Sequence, residues 1–259
     1  MNTTETRRLD SIRLRICILG SQVRRATEAF DLDPRTANPS MILLYEDLAD
    51  GFSHPLIDRG VVLRRQLRAT NAARHGDDDV TVFVHPFRRR HLTPFWLAFH
   101  TRNGETLSVT EDWTGGNKTT EASLVTLRRR SAVWTPSNPG TSGDLLSQSQ
   151  RRFLAECARI DADTTRFTEL GPVIGRNWIF RRNDLDVAAQ RWTIPIGDDL
   201  AMGDRFDVLE LSTQTRAEDA AFVQPAFTAL VRRHGLDADT PETPVSYRAV
   251  GYLARGFHR

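Results

Sequence analysis

Glu210 lies at the centre of RFDVLELSTQT, a run that alternates strictly. Leu209, Leu211 and Thr213 fall on one side, and Phe206, Val208, Glu210, Ser212 and Gln214 on the other. Three further runs set polar groups against aliphatics in the same way. SIRLRICI places Ser11, Arg13, Arg15 and Cys17 opposite Ile12, Leu14, Ile16 and Ile18. GVVLRRQLR places Val62, Arg64, Gln66 and Arg68 opposite Val61, Leu63, Arg65 and Leu67. VTVFVHPF places Thr81, Phe83, His85 and Phe87 opposite Val80, Val82 and Val84. A carboxylate binds a cation or carries a proton, a guanidinium holds an oxyanion through two parallel bonds, and an imidazole titrates near neutrality. On neighbouring strands such rows face either solvent or a polar hollow. Around a hollow they would bind anions and move protons.

Each row needs a wall behind it. After the Glu210 strand, Ala220, Phe222 or Val223, Phe227, Leu230 and Val231 recur at helical spacing, and His234-Gly235 stops the helix. This helix can cover the aliphatic side. Gly20-Ser21 opens another over 21–30, striped by Val23, Ala26 and Phe30, and 144–160 predicts a third. Further strands are expected at Pro39–Tyr45, Phe95–Thr101, Thr106–Asp112, Glu121–Arg129, Trp178–Arg181 and Gln190–Ile196. Phe167–Val173 reads as a helix exit stopped by Gly171-Pro172, Val245–Ala254 as a strand or short helix, and HGDDD as a solvated loop. The sum is an α+β chain of about eight mostly antiparallel strands, closed into a β-barrel with helices packed outside.

The chain's 259 residues can bury a full core as one domain, 1–259. Its two pseudo-halves, about 1–136 and 144–259, meet at the Pro/Gly/Ser-rich Ser137–Gly143. No apolar run approaches the ~20 residues that span a bilayer. The opening MNTTETRRLDSIRLR has no apolar signal core, so the expected address is cytoplasmic, with no membrane partner. Cys17 and Cys157 alone make neither a disulfide framework nor a metal motif. Lys118 is the only lysine among 35 basic residues, which reflects either base composition or selection for bidentate anion contacts. Helix–turn–helix, zinc-finger and RRM signatures are absent, so no nucleic-acid partner is expected. P-loop, Rossmann and GxSxG patterns are absent too.

In their order these runs resemble the CYTH, or triphosphate tunnel, superfamily, and in particular a bacterial branch of CYTH-like proteins of similar length. The landmarks are SIRLRICI with its helix, MILLYEDL, GVVLRRQLR, DVTVFVHPF, EDWTGGNKTTEASL, LLSQSQRRFL, TELGPV, FDVLELSTQT with its helix ending in HGL, and SYRAVGYL. The resemblance implies an antiparallel β-tunnel whose acidic residues hold divalent metal and whose Lys/Arg residues grip a triphosphate or another phosphorylated substrate. This chain departs from the pattern in one direction. The Glu-x-Glu-x-Lys that opens such tunnels falls on Ser11, Arg13 and Arg15. The basic pair of DVTVFVHPF becomes Phe83 and His85, and the lysine after LELST becomes Gln214. Glu210 and Asp112 survive from the acidic set, and Arg64 and Arg68 from the LRxR strand.

Two carboxylates hold one Mg²⁺ at best, and Arg13 and Arg15 within about 5 Å of it would cost several kcal/mol in a low dielectric. The expectation is therefore an enzyme without a metal cofactor, a lyase, cyclase or hydrolase of biosynthetic type. Glu210 or His85 would be its acid or base. Arg13, Arg15, Arg64, Arg68, Phe83, Phe206, Asp112 and Gln214 would bind a small anionic organic ligand, phosphorylated or not. A metal-dependent triphosphatase or nucleotide cyclase, with Mg or Mn on Glu210, Asp112 and Glu111, is one alternative. A non-catalytic binder of nucleotides or acidic ligands is the other, and either a monomer or a homodimer is expected. Each residue also has a plainer role open to it. Glu210 can pair with Arg64 or Arg191, His85 can be a structural aromatic, and Trp113, Trp178 and Trp192 can pack strands.

Overall fold

The computed structural model describes residues 8–49, 54–68, 77–114, 116–129, 145–196, 204–236 and 244–256. Ten strands share one sheet: β1 (Ser11–Leu19), β2 (Asn38–Asp47), β3 (Val61–Arg68), β4 (Asp77–Val84), β5 (Thr101–Arg102), β6 (Glu105–Thr114), β7 (Asn117–Arg129), β8 (Phe167–Arg182), β9 (Leu185–Ile196) and β10 (Asp204–Thr215). They run in the order β1-β10-β9-β8-β2-β3-β4-β7-β6, and β1 returns to pair with β6. Nine strands thus close a barrel, and β5 merely extends the edge of β6. Every barrel pair is antiparallel except the closing one, where Ser11–Leu14 run parallel to Thr110–Trp113. Asn183 and Asp184 both take positive φ, the geometry of the two-residue turn whose twist suits the β8–β9 hairpin.

Among the described residues six α-helices accompany the strands: α1 (Gln22–Ala29), α2 (Pro55–Asp58), α3 (Pro94–Ala98), α4 (Gln148–Phe153), α5 (Ala220–Arg233) and α6 (Val245–Gly256). The aliphatic side of each alternating run faces outward, as a helix-clad barrel demands. Ile12, Leu14, Ile16 and Ile18 of β1, with Leu209 and Leu211 of β10, pack under α1 and α5 through Val23, Ala26, Phe227, Leu230 and Val231. On the opposite wall Leu63, Val80, Val82 and Leu124 pack under Trp96, Phe153 and Leu154. A capping box of Ser147 and Gln150 starts α4, and the Gln150 amide donates to the carbonyls of Val80 and Leu124, anchoring the helix to the wall. Past α4 the helix widens into a π-turn, Leu154–Ala158, which ends on Arg159 in the left-handed region.

Four expectations need correcting. Phe95–Thr101 is not a strand: Thr93-Pro94 starts α3, which buries Trp96. Phe167–Val173 is not a helix exit but the first half of β8. Gly171, at φ 116°, sits in a bulge where the β2–β8 register slips between Ile42 and Leu44, so the strand passes through the Gly-Pro pair. The aspartates of HGDDD belong to β4, and Asp78 and Asp79 are buried. Finally, the helices are not all outside. α6 packs against Ile42, Leu44, Val62, Val173, Trp192, Ile194 and Val208 on the inner barrel face and fills one end of the bore. The stretch Ser137–Gly143 lies outside the described residues.

Candidate active site

Strand alternation puts two zones on the inner face. Toward one end it is apolar, and α6 occupies it. Toward the other it is polar, with Ser11, Arg13 and Arg15 from β1, Arg64 and Arg68 from β3, Asp112 from β6, and Glu210 from β10. Where the zones meet lies a cavity of about 70 Å³. Arg13, Arg15, Arg64, Phe83 and Glu210 line it, together with Glu121, Gln190 and Trp192, and Pro244–Ser246 at the start of α6 close it.

Arg13 is the centre of the charge lattice. It is the register partner of Asp112 across the closing seam, and its Nε and Nη2 hold the two oxygens of that carboxylate at 2.5 and 2.9 Å. Nη2 also donates to Glu121 at 2.8 Å. Burial opposes the Arg13 charge, but Glu121 and Asp112 outweigh it and hold the pKa well above the ordinary arginine value. The two carboxylates diverge. Burial works to raise Asp112, yet the bidentate Arg13 contact overrides it and holds Asp112 below the usual range. Glu121 has one contact to Arg13, so burial wins and its pKa is raised. Of this pair sharing one cation, Asp112 is thus the one held toward the anion and Glu121 the one more readily protonated.

Arg15 lies beneath, 2 % exposed, with Glu210 at 3.4 Å, Asp112 at 3.6 Å and the Thr114 hydroxyl at 3.5 Å. Glu210 also accepts from the Cys17 thiol at 3.9 Å, and burial, with Glu210 adding to it, keeps that thiol protonated. Arg64 differs from the other two. Its closest carboxylate, Asp79, is 4.0 Å away and also pairs with Arg68 at 2.9 Å. Its Nε, like that of Arg15, is buried without a hydrogen-bond partner, and its guanidinium lies 4.7 Å over the Phe83 ring. Burial pulls Arg64 below the ordinary value, and Asp79 only partly offsets this. A desolvated, half-neutralised guanidinium on a cavity wall is poised for an anion.

The remaining expected residues sit farther out. His85 bonds Thr119 through Nε2 at 2.8 Å and packs on Tyr247 of α6, behind the cavity lining. Burial lowers its pKa, so the ring is neutral at pH 7. Phe206 stacks on Tyr252 of α6. Gln214 donates to Ser11 at 2.6 Å on the rim, and Arg68 is exposed there. Neither Arg64 nor Arg191 is the partner of Glu210: Arg15 is, and Arg191 pairs with Asp207.

Sequence reasoning missed Glu121 and Asp79. Both signals were in the alternation, because Asp79 shares the parity of Thr81 and Phe83, and Glu121 lies opposite Ala122 and Leu124. Together they balance the bore, with Arg13, Arg15, Arg64 and Arg68 facing Asp79, Asp112, Glu121 and Glu210.

A divalent cation of the kind a tunnel of this pattern implies does not fit these donors. Both oxygens of Asp112 are bonded to Arg13, and Glu121 and Glu210 are held by Arg13 and Arg15. A metal would have to displace guanidinium groups that then remain beside it. Glu111 is on the outer face, accepting from the Trp113 indole at 2.9 Å. Among the described residues no group of three or more His, Cys, Asp or Glu is placed to hold a metal.

No protein-family model and no curated protein sequence matches the chain. Solved structures do. A Hippeastrum protein, described as an adenylyl cyclase candidate with a dominant triphosphatase activity, superposes with a TM-score of 0.54 at 12% identity, over 93% of this chain and 94% of that one. A Bacillus halodurans protein, described as an adenylate cyclase candidate, superposes with a TM-score of 0.52 at 11% identity, over 92% and 96%. At such identities the likeness concerns the fold. The chain shares the closed β-barrel fold of these two proteins.

Proposed function

We propose that this chain is a tunnel-fold enzyme that acts on a small anionic organic molecule, phosphorylated molecules included, by proton transfer without a metal ion. The observation that carries the reading is Arg64, a half-buried cation on the cavity wall with its nearest carboxylate at 4.0 Å and a buried, unpartnered Nε. A phosphoryl or carboxylate head seated against Arg64 would complete its hydrogen bonding and neutralise it. The cavity of about 70 Å³ takes that head alone, so the body of the substrate would extend toward the open rim at Arg68 and Gln214.

Two carboxylates flank the head from different environments. Burial raises the pKa of Glu121, which makes it the candidate acid. Glu210, oriented by Arg15, is the candidate base. Arg13 and Arg15 stay in place as fixed positive charge, stabilising negative charge that develops on the substrate. His85, neutral and bonded to Thr119, would steady α6 through Tyr247 rather than meet the substrate.

The test is turnover of a panel of phosphorylated and carboxylated metabolites in the presence of a chelator. Glu210→Gln should lower kcat about 10²–10⁴-fold, while Arg64→Gln should raise KM about tenfold with a smaller effect on kcat. Phosphate release from a triphosphate that requires Mg²⁺ or Mn²⁺ and stops with chelator would overturn the reading. A second reading, a binding module without chemistry, draws on the close pairing of Asp112, Glu121 and Glu210 with arginines. Saturable binding with no turnover in any member of the panel would favour it.

A further inference from the structure

We propose that the outer wall of the barrel carries a second anion-binding site, separate from the bore and shaped for the phosphate or carboxylate head of a small organic molecule. A cleft of about 290 Å³ opens where β4 leaves the barrel, between the turn at Arg89–His91 and the end of the π-turn. Arg59, Arg88, Arg90, His91 and Arg159 line it, with no carboxylate among the lining residues. In the bore every arginine has an acidic neighbour. Here, among the described residues, none of the four arginines pairs with a carboxylate. Four like charges converging without a counter-charge repel one another, and an entering anion relieves that repulsion.

The cleft is also braced. Arg59 donates through Nη1 to the Arg159 carbonyl at 2.8 Å, and the Cys157 thiol approaches the His91 carbonyl at 3.9 Å, tying the walls together. Arg159 occupies a helix-ending position at φ 57°, a conformation that glycine adopts without strain. An arginine kept there, directly after a π-turn, is the kind of local irregularity that gathers at ligand sites. Val84, Phe87, Cys157 and Ala158 make the floor apolar. That floor favours a ligand with a hydrophobic body over a bare inorganic ion.

Phenyl phosphate and inorganic phosphate are the probes, titrated by NMR or calorimetry into the wild type, the exposed double variant Arg88→Ser/Arg90→Ser, and the bore variant Arg64→Gln. Phenyl phosphate should bind the wild type at least about fivefold tighter than inorganic phosphate. The double variant, with its melting temperature unchanged, should lose at least about tenfold of that affinity, whereas Arg64→Gln should retain it. Affinity should also fall between about 50 and 200 mM salt. Equal affinity in the double variant, or no preference for the phenyl ester, overturns the proposal. So does binding confined to a single-stranded RNA decamer and lost in the double variant, which would make the face a nucleic-acid surface instead.

Discussion

Arg13 has one charge and two carboxylates to satisfy, and the pH dependence of the fold follows from how it divides that charge. Asp112 has a lowered folded pKa, so its contribution to stability is present above its unfolded value of about 3.9 and is lost as pH falls through the folded value. Glu121 has a raised folded pKa, which gives the opposite sign. Its contribution is present below the unfolded value of about 4.3 and is lost as pH rises through the folded one. Glu121→Gln removes that second dependence. Its melting temperature should gain on the wild type as pH is raised from about 4 to 8, and a difference that stays constant across that range would contradict the raised pKa. How much of this was legible from the sequence varies by residue. The inward parity of Arg13, Arg15, Arg64 and Glu210 follows from alternation alone. Asp79 was hidden because an Asp run after His-Gly looks like a loop, and only pairing of Gln66 with Asp79 makes it strand. The Arg13–Asp112 bond needed a register across the barrel seam, which one strand's pattern cannot supply.

Among the elements, α6 decides the shape of the bore. Its sequence, SYRAVGYL, is ambiguous between strand and helix because small and β-branched residues dominate, and its location is set by partners on five strands. The helix is pinned by the Tyr247 hydroxyl, which donates to the Gly60 carbonyl at 2.6 Å, next to the site where Gly60 meets His85. Gly60 has φ 70°, and a Cβ there would lie 2.3 Å from the His85 carbonyl oxygen. Gly60→Ala should therefore lower stability by about 2–3 kcal/mol in urea unfolding, through both backbone conformation and the clash. A loss under about 0.5 kcal/mol would mean that β3 and the His85 segment are not packed as described.

At the scale of the whole molecule, the closing seam is the shortest of the barrel's interfaces. β1 meets β6 over Ser11–Leu14 alone, whereas it meets β10 along nearly its full length. The bidentate Arg13–Asp112 pair spans this seam at one of its register positions. Asp112→Asn should speed amide exchange at Ser11–Leu14 and Thr110–Trp113 by about tenfold or more, and leave the β8–β9 hairpin unchanged. Uniform acceleration across all strands would show instead that the barrel opens only as a unit. The aliphatic periodicity revealed that a barrel must form, but not which strands seal it, because β1 has no hairpin partner nearby in the chain.

That same separation governs how the chain is assembled. On the ribosome β1 is made long before its longest partner, β10: Arg15 and Glu210 stand 195 positions apart. Until then Ile12, Leu14, Ile16 and Ile18 have α1 but neither β10 nor α5 to pack against, and the ring cannot be built by zipping neighbouring hairpins. Nascent chains of this topology therefore carry a ribbon whose main edge stays open until β10 follows, which exposes apolar surface to aggregation in the meantime.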